Sequence, residues 1–277
     1  MGLPGKALAG TVAVAAVLAL AGWTGPGSPE RIERLLLLKD LQIGVLDAES
    51  TLNQFLLTYP VDGLLIGQAY VARLDEVLAG LSVTLREVDW TDDGGLPAPG
   101  DTGNAIAAEL SEFHAHACRV VALAQARGDA GSGIVWEMHR MAEGLERYLV
   151  KLEAEVGDEG SDPARARAVQ DLKVDLLRIR SWGKEYLLRD DLVFITSMLS
   201  RVADIERAIA HGPFADKERD RILTYLKTYL IYVERIALID VRLRNRLNRM
   251  MESGERIRAL LQEMVEREVM GLHQASR

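Results

Sequence analysis

The sequence predicts an all-α fold: two stacked helix bundles that share long helices, elongated overall and preceded by an N-terminal hydrophobic helix. Three observations lead to this prediction. The chain has 277 residues, of which 48% are apolar and 27% charged, as in a mostly water-soluble protein with a sizeable core. It is rich in Leu, Ala, Glu and Arg and has few runs of Val, Ile and Thr, which favours helices over strands. Its C-terminal region carries a sustained heptad pattern.

The N-terminal segment, residues 1–27, is predicted to be a membrane anchor or a signal segment. Ala7–Trp23 carries no charge and would form a helix about 26 Å long, near the lower limit for crossing a bilayer. It is either a retained anchor or a signal peptide cleaved after the small-x-small pattern Ala19-Leu20-Ala21. We expect a single-pass protein of the bacterial inner membrane with its bulk, residues 28–277, in the periplasm, or a protein secreted to the periplasm after cleavage.

Helix-start and helix-breaking signals divide the rest of the chain into helices. Ser28-Pro29 is typical of an N-cap and first turn, and apolar residues then recur at helical spacing through Leu57. Tyr59-Pro60 marks a break or kink before a second pattern over about 61–88. Loops rich in Gly and Asp separate the next helical patterns, which cover about 104–125, 134–156, 163–189 and, after that, up to about 210.

The last helix is predicted by the clearest pattern in the chain. From Ile222 to Met264, seam positions advance by alternating fours and threes, as in left-handed helix bundles. A single helix over 216–270 would be about 82 Å long, roughly twice the height of a small bundle. We therefore expect this helix to serve two bundles. Asp240 stands in the seam where an apolar residue is expected.

Charge and motif content exclude several classes of function. The net charge is −8, with 10 basic and 23 acidic residues in 28–160 but 22 and 18 in 161–277. An acidic chain argues against nucleic acid as a partner, whereas the basic C-terminal half could attract a small anion. The single cysteine allows no intramolecular disulfide. Because no phosphate loop, nucleophile elbow or zinc-protease motif is present, we expect no catalysis and no cofactor.

The stretch Leu177–Asp191, LRIRSWGKEYLLRDD, resembles the signature helix of helical bimodular (HBM-type) sensor domains. These domains are the periplasmic part of bacterial chemoreceptors and of some sensor kinases. The helix after it, a Gly-Pro corner, and Tyr225 and Tyr229 on the final helix are also similar. The resemblance covers about 30–270 in layout and 177–270 in motif. It implies two stacked four-helix modules that bind small ligands such as organic acids and act in chemotaxis-like signal transduction.

The resemblance carries over to three basic positions and fails at others. Arg180, Lys184 and Arg189 match charged positions of the family, whereas Trp182-Gly183 stands in place of part of its Glu-Lys pattern. Such receptors continue into a second membrane helix and a signalling region, and neither follows before Arg277. We therefore expect either a stand-alone sensor that signals through a partner or a fragment of a longer receptor.

The candidate ligand-binding residues are Arg178, Arg180, Lys184, Arg189 and Asp240. Arg180 and Lys184 lie four residues apart on one helix face, and guanidinium groups bind carboxylates through paired hydrogen bonds. The alternative for this basic cluster is a solvated face with ion pairs such as Lys184–Asp191 or Arg180–Glu185. Asp240 has three interpretations: a polar layer that fixes helix register, a wall of a ligand cavity, or exposure by local rotation of the helix.

Two further groups of residues carry weaker hypotheses. Arg242, Arg246 and Arg249 share a helix face next to Arg244, and we interpret this run as solvated or paired with the acidic first half, with anion docking as the alternative. His114 and Cys118 lie four apart, with His116 pointing elsewhere and His139 on the next helix, which allows a metal hypothesis. No di-iron or haem-attachment motif supports that hypothesis.

The sequence therefore predicts a membrane-anchored, extracytoplasmic sensory module without enzymatic activity. It would bind a small molecule, with an organic acid as one candidate, or a ligand-loaded partner such as a periplasmic binding protein. Ligand binding would shift the long helices slightly. A second copy of the chain, in a homodimer, is a further candidate partner. The alternative from another class is an exported helical scaffold or adaptor without a small ligand.

Overall fold

A computed structural model describes residues 29–88, 99–129, 131–158 and 162–275. Within these ranges all regular secondary structure is helical and no strand occurs, which confirms the predicted all-α class. The six helices are α1 (Pro29–Glu87), α2 (Pro99–Arg127), α3 (Gly133–Asp158), α4 (Pro163–Arg189), α5 (Leu192–His211) and α6 (Asp216–Ala275). None of these helices has the length and apolar character needed to cross a bilayer. The predicted hydrophobic segment at residues 7–23 lies outside the described residues.

The helical span α1 folds back on itself. Arg73 lies 3.1 Å from Asp47, and the side chain of Leu81 packs directly against Gly44. In one straight helix, residues 47 and 73 would be about 39 Å apart, so the chain must reverse direction between them. The sequence predicts a break in this stretch, at Tyr59-Pro60, whose side chains lie outside those described. A Cβ on Gly44 would lie 2.5 Å from Leu81 Cδ2, so a larger residue at this position would force the Leu81 side chain to shift.

The described chain divides into two compact units. The first takes the residues up to Ala122 and from Asn245 onward, and the second is Leu123–Arg244. The core of the first unit includes the fully buried side chains of Leu38, Leu52, Phe55, Phe113 and Leu261. The core of the second includes the fully buried side chains of Ile179, Met198, Ile205, Ile209 and Ile236. Each unit thus has its own apolar core.

The helix boundaries in the second unit follow from local capping. Asp162 accepts a hydrogen bond from the Ala164 amide at 3.0 Å, and Pro163 occupies the first turn, so α4 begins where the sequence predicts. Asp190 ends α4 in the left-handed conformation, with φ of 52°. Asp191 then caps α5 by accepting from the Val193 amide at 2.9 Å. These caps bring α4 back along α5, and α4 also packs against α3.

The final helix, α6, is continuous over 60 residues. The predicted seam is confirmed over most of its length: Ile222, Leu226, Tyr229, Val233 and Ile236 are buried in the second unit, and Met250, Ile257, Leu261 and Met264 in the first. Leu243 and Leu247, between these two groups, are only half-buried. The seam of α6 therefore contributes apolar side chains to the core of each unit.

Candidate functional site

The basic cluster predicted as a ligand contact lies on α4 in the second unit, and two of its four members are paired closely with carboxylates. Arg180 donates to Glu146 on α3, and Arg189 lies 2.7 Å from Glu185. Arg178 is exposed and 3.8 Å from Asp175. Lys184 is exposed. The predicted partners for the alternative interpretation, Glu185 for Arg180 and Asp191 for Lys184, are not the ones that the structure shows.

Asp240 is buried, which rules out exposure by local rotation of α6. One carboxylate oxygen accepts a hydrogen bond from Arg127 Nε at 2.6 Å, and the other accepts from the Tyr186 hydroxyl at 2.8 Å. Burial, reinforced by the nearby Asp240 charge, raises the pKa of Tyr186, so this phenol keeps its proton and donates. Asp240 therefore joins α2, α4 and α6 in a polar layer within the second unit, as in the first of its three interpretations.

The arginine run on α6 divides into members with different surroundings. Arg244 lies 3.3 Å from Asp190, and Arg242 is exposed. Arg246 and Arg249 belong to the first unit, where they line a groove between α2 and α6. The expected solvated or paired face is thus correct for Arg242, for Arg244 and for the exposed Arg249. Asp190, however, is not part of the acidic first half of the chain.

We call this feature the arginine groove, and it has a volume of about 520 Å³. One wall comes from α2 and the other from α6, where side chains at spacings of three and four share a face. Every lining side chain except that of Ala115 is polar or charged. The lining residues are Glu112, Ala115, His116 and Arg119 of α2, with Arg246, Arg249, Glu252, Ser253 and Arg256 of α6.

One arginine of the groove is held by a neighbouring carboxylate. Arg256 Nε donates to Glu109 at 2.8 Å, and its Nη2 donates to Ser253 Oγ at 3.0 Å. The hydrogen bond to Glu109 raises the pKa of Arg256. Glu112 lies 3.9 Å from the same guanidinium. Arg256 therefore contributes little unbalanced charge to the groove.

The other three arginines of the groove differ from Arg256. Within the part of the chain that the structure describes, Arg119, Arg246 and Arg249 have no carboxylate within ion-pair distance. They line the same groove from opposite walls. Like charges that line one groove repel each other, although solvent screens part of this repulsion because Arg119 and Arg249 are exposed. The groove is thus a region of unbalanced positive charge on an acidic protein.

His116 forms part of the groove lining beneath these arginines. Its side chain is buried, with the residue only 9% exposed, and no atom of the described chain forms a hydrogen bond with its Nδ1. Burial, followed by the charges of Arg246, Arg119 and Arg249, lowers the pKa of His116, so the imidazole is neutral at pH 7. A buried polar atom without a partner is costly and needs a physical explanation, such as a bound ligand or water.

A second, shallower groove lies in the second unit and has a volume of about 370 Å³. Its one basic residue, Arg201, donates to Asp175 through Nε at 2.9 Å and lies 3.8 Å from Asp204. Trp182 and Val193 also line it. Because its only cation is already paired, this groove has little capacity to attract an anion.

The metal hypothesis gains no geometric support in the described ranges. His116 is buried, whereas His114 and Cys118 are exposed, so the three do not converge. His139 belongs to the second unit. No set of three His, Cys, Asp or Glu side chains in the described chain is arranged to hold a metal ion.

The sequence predicts part of the arginine groove. Its spacing places Arg246 and Arg249 on one face of α6, but the predicted site does not include Arg119, Ser253 or Arg256. The signal for the last two is the continuation of the same spacing on α6, from Arg249 to Ser253 and Arg256. The contribution of α2 could not be read from spacing, because it depends on which helices pack together.

Comparisons with family models, with curated proteins and with solved structures each returned no significant match. The resemblance to helical bimodular sensor domains therefore stays a prediction from the motif around Arg180.

Proposed function

We propose that this protein is a non-enzymatic, extracytoplasmic sensory module that binds a small anionic molecule in the arginine groove. In this proposal two helical modules share the final helix, α6, and the hydrophobic N-terminal segment anchors the chain in the inner membrane or directs its export. Binding would bias the long helices and so pass a signal to a partner, in a chemotaxis-like role.

The observation that carries the proposal is the set of three unpaired guanidiniums in one groove. Arg119, Arg246 and Arg249 face a common space above a buried, unsatisfied histidine. An anion there would remove the mutual repulsion of the arginines and accept their hydrogen bonds. The lining contains Ser253 and His116, but Ser253 Oγ accepts from Arg256 and no hydrogen bond joins it to His116 in the described chain, so reversible binding fits the groove better than nucleophilic catalysis.

The predicted cluster on α4 supports the proposal less well. Arg180 and Arg189 are already balanced by Glu146 and Glu185, so a ligand there would have to compete with existing ion pairs. We therefore move the proposed ligand site from the second unit to the first. The sensory role is unchanged, since it depends on a ligand site and not on which module holds it.

A thermal-shift screen of small anions on the full chain tests this proposal. A ligand at 100 times its Kd adds about 2.7 kcal/mol to stability, which corresponds to a rise in Tm of about 5–10 °C for a chain of this size. We expect such a rise for at least one anion, and its loss in the double variant Arg246→Gln/Arg249→Gln. A screen without any rise, or a rise that the double variant retains, would contradict the proposal.

An exported scaffold or adaptor is the second candidate, and exposed apolar side chains favour it. Leu177 and Leu188 on α4 are 59% and 80% exposed, and Val193 on α5 is 56% exposed. Exposed apolar side chains that lie together can form an interaction surface. A flat anion screen together with a protein partner that binds wild type but not Leu177→Ser/Leu188→Ser would favour this function.

A further inference from the structure

We propose that the arginine groove binds a phosphate group, carried either by inorganic phosphate or by a small phosphomonoester. This inference rests on the proposed function, because it names the class of ligand for the same site. It differs from the organic acids that the sequence resemblance implies. Four features of the groove support it: the number of unpaired guanidiniums, their convergence, the unsatisfied histidine and the polar lining.

The convergence of the guanidiniums favours a single group with several oxygens. Arg246 and Arg249 lie one turn apart on α6, and Arg119 approaches from α2. All three act electrostatically on the same imidazole, that of His116. The terminal oxygens of a phosphate can each accept from a different guanidinium, whereas a carboxylate offers only two oxygens in one plane. A dicarboxylate would also divide its charge between two separated groups.

The lining of the groove carries a positive balance of charge. Its four arginines (+4) stand against Glu112 and Glu252 of the lining and Glu109 beside Arg256 (−3), which leaves one positive charge. Arg119, Arg249, Glu112 and Glu252 are all exposed, so solvent screens charges of both signs. A phosphomonoester carries a charge of about −1.5 to −2 at pH 7, so hydrogen bonds from several guanidiniums, and not charge balance alone, must favour it here.

His116 offers a contact that a phosphate group can complete in either tautomer of the ring. Its Nδ1 has no partner among the described atoms, and the ring is neutral at pH 7. The imidazole therefore offers either a lone pair or an N–H, depending on its tautomer. Phosphate near pH 7 has both a protonated and an ionised form, so it can donate to or accept from the ring, whereas fully ionised sulfate or succinate matches only the N–H tautomer. Because Nδ1 lies beneath the groove surface, this contact requires a rotation of the imidazole ring.

The rest of the groove indicates what else the ligand carries. Among the described residues, Ala115 is the only apolar one in the lining, so this lining offers almost no surface to an acyl chain or aromatic ring. Glu112 and Glu252 can accept hydrogen bonds from hydroxyl groups. The volume of about 520 Å³ leaves room beyond one phosphate group. A hydroxylated phosphomonoester would use both parts of the groove, while inorganic phosphate would use only the arginines.

Isothermal titration calorimetry on the full chain at pH 7 and fixed ionic strength tests the assignment. The probes are sodium phosphate, glycerol 3-phosphate, sodium sulfate and succinate. We expect saturable binding of phosphate or glycerol 3-phosphate, at least tenfold tighter than of sulfate or succinate. Tighter binding of glycerol 3-phosphate than of phosphate would identify an ester as the ligand, and the reverse order would identify free phosphate.

Three variants connect the binding to the groove. Arg249→Gln should weaken phosphate binding at least tenfold, and Arg119→Gln on the opposite wall should do the same. Arg242→Gln is the matched control, because it removes the same charge from an exposed position on the same helix outside the groove. Equal losses in Arg242→Gln and Arg249→Gln would reduce the effect to net charge and overturn the assignment. Circular dichroism melts verify that each variant is folded.

Different binding results would show that the phosphate assignment is wrong and that the proposed function is wrong. If succinate binds through Arg246 and Arg249 while both phosphate probes do not, the phosphate assignment is wrong and the anion-sensing proposal stands. If none of the four anions binds in a way that depends on these arginines, both proposals are wrong.

Discussion

The two basic regions of this protein are both rich in arginine, but neighbouring carboxylates balance the arginines of only one of them. On α4, Arg180 donates to Glu146 and Arg189 lies against Glu185, so their charges are balanced within the fold. In the arginine groove, Arg246 and Arg249 have no such partner in the described chain. A guanidinium that is already paired contributes to packing and register, whereas an unpaired one in a groove is available to a ligand. The difference lies in the neighbouring helix and not in the basic residues.

Among the residues whose charges are paired, we expect substitution of Asp240 to have the largest effect on stability. Asp240→Asn removes the charge that compensates Arg127 and leaves both Arg127 and Tyr186 with a poorer partner. We expect the free energy of unfolding to fall by about 3 kcal/mol, as when one member of a buried ion pair is removed. Urea denaturation measures this change in the free energy of unfolding.

Asp171→Asn is the control for Asp240→Asn, since Asp171 is exposed on α4 and the same substitution there should change stability by less than about 0.5 kcal/mol. Equal effects of the two variants would mean that the Asp240 layer has no structural role.

Substitution of the unpaired arginines should lower anion affinity and leave stability almost unchanged. Arg246→Gln/Arg249→Gln removes two like charges from the groove, so we expect the free energy of unfolding to stay within about 0.5 kcal/mol of wild type. Anion affinity, however, should fall at least tenfold. Parallel urea denaturation and calorimetry separate the two quantities. A large loss of stability would show that these arginines have a structural partner after all.

The predicted α4 cluster gives a test in which binding should not change. Arg180→Gln/Lys184→Gln breaks the ion pair with Glu146, and we expect a loss of about 1 kcal/mol or less, because the pair is only half-buried. Affinity for an anion that binds the arginine groove should stay within a factor of two. A tenfold loss of affinity would return the ligand site to α4, as the sequence first indicated.

The smallest expected effect concerns pH and His116. Because burial and three arginines lower its pKa, the folded protein binds fewer protons at this residue than the unfolded chain does. Stability should therefore decrease as pH falls from 7 through the unfolded histidine pKa of about 6.5. His116→Asn should reduce this decrease, measured as the difference in urea midpoint between pH 7 and pH 5.

His114→Asn, at an exposed position on the same helix, is the control for the pH series. It should keep the pH dependence of wild type. If His116→Asn keeps it as well, the buried imidazole does not titrate below its ordinary range.

Much of the fold could be predicted because its signals are local. Pro163 with Asp162 marks the start of α4, and the heptad seam predicts α6 from one end to the other, since both depend on neighbours within a few residues. The sequence suggests a buried polar layer at Asp240 as one of three interpretations. It does not identify the partners, because Arg127 and Tyr186 lie on other helices. Local spacing carries no information about them.

The candidate site could be predicted only in part for the same reason. A local motif made the basic residues on α4 candidates for the site. Their pairing could not be predicted in the same way, because it depends on the packing that places Glu146 beside Arg180. On α2, no local signal points to Arg119, and His116 enters only the metal hypothesis, because the position of both residues beside α6 is not a local property. Whether a charge is paired is a property of two packed helices, so it requires the three-dimensional structure.

The central claim is that three unpaired guanidiniums of the first unit form the anion site. The most direct test is a crystal of the protein soaked with arsenate, a tetrahedral anion with the protonation states of phosphate, whose anomalous signal locates it without ambiguity. We expect an arsenate within hydrogen-bond distance of Arg119, Arg246 and Arg249. An empty arginine groove with arsenate bound beside Arg180 and Lys184 would contradict this claim.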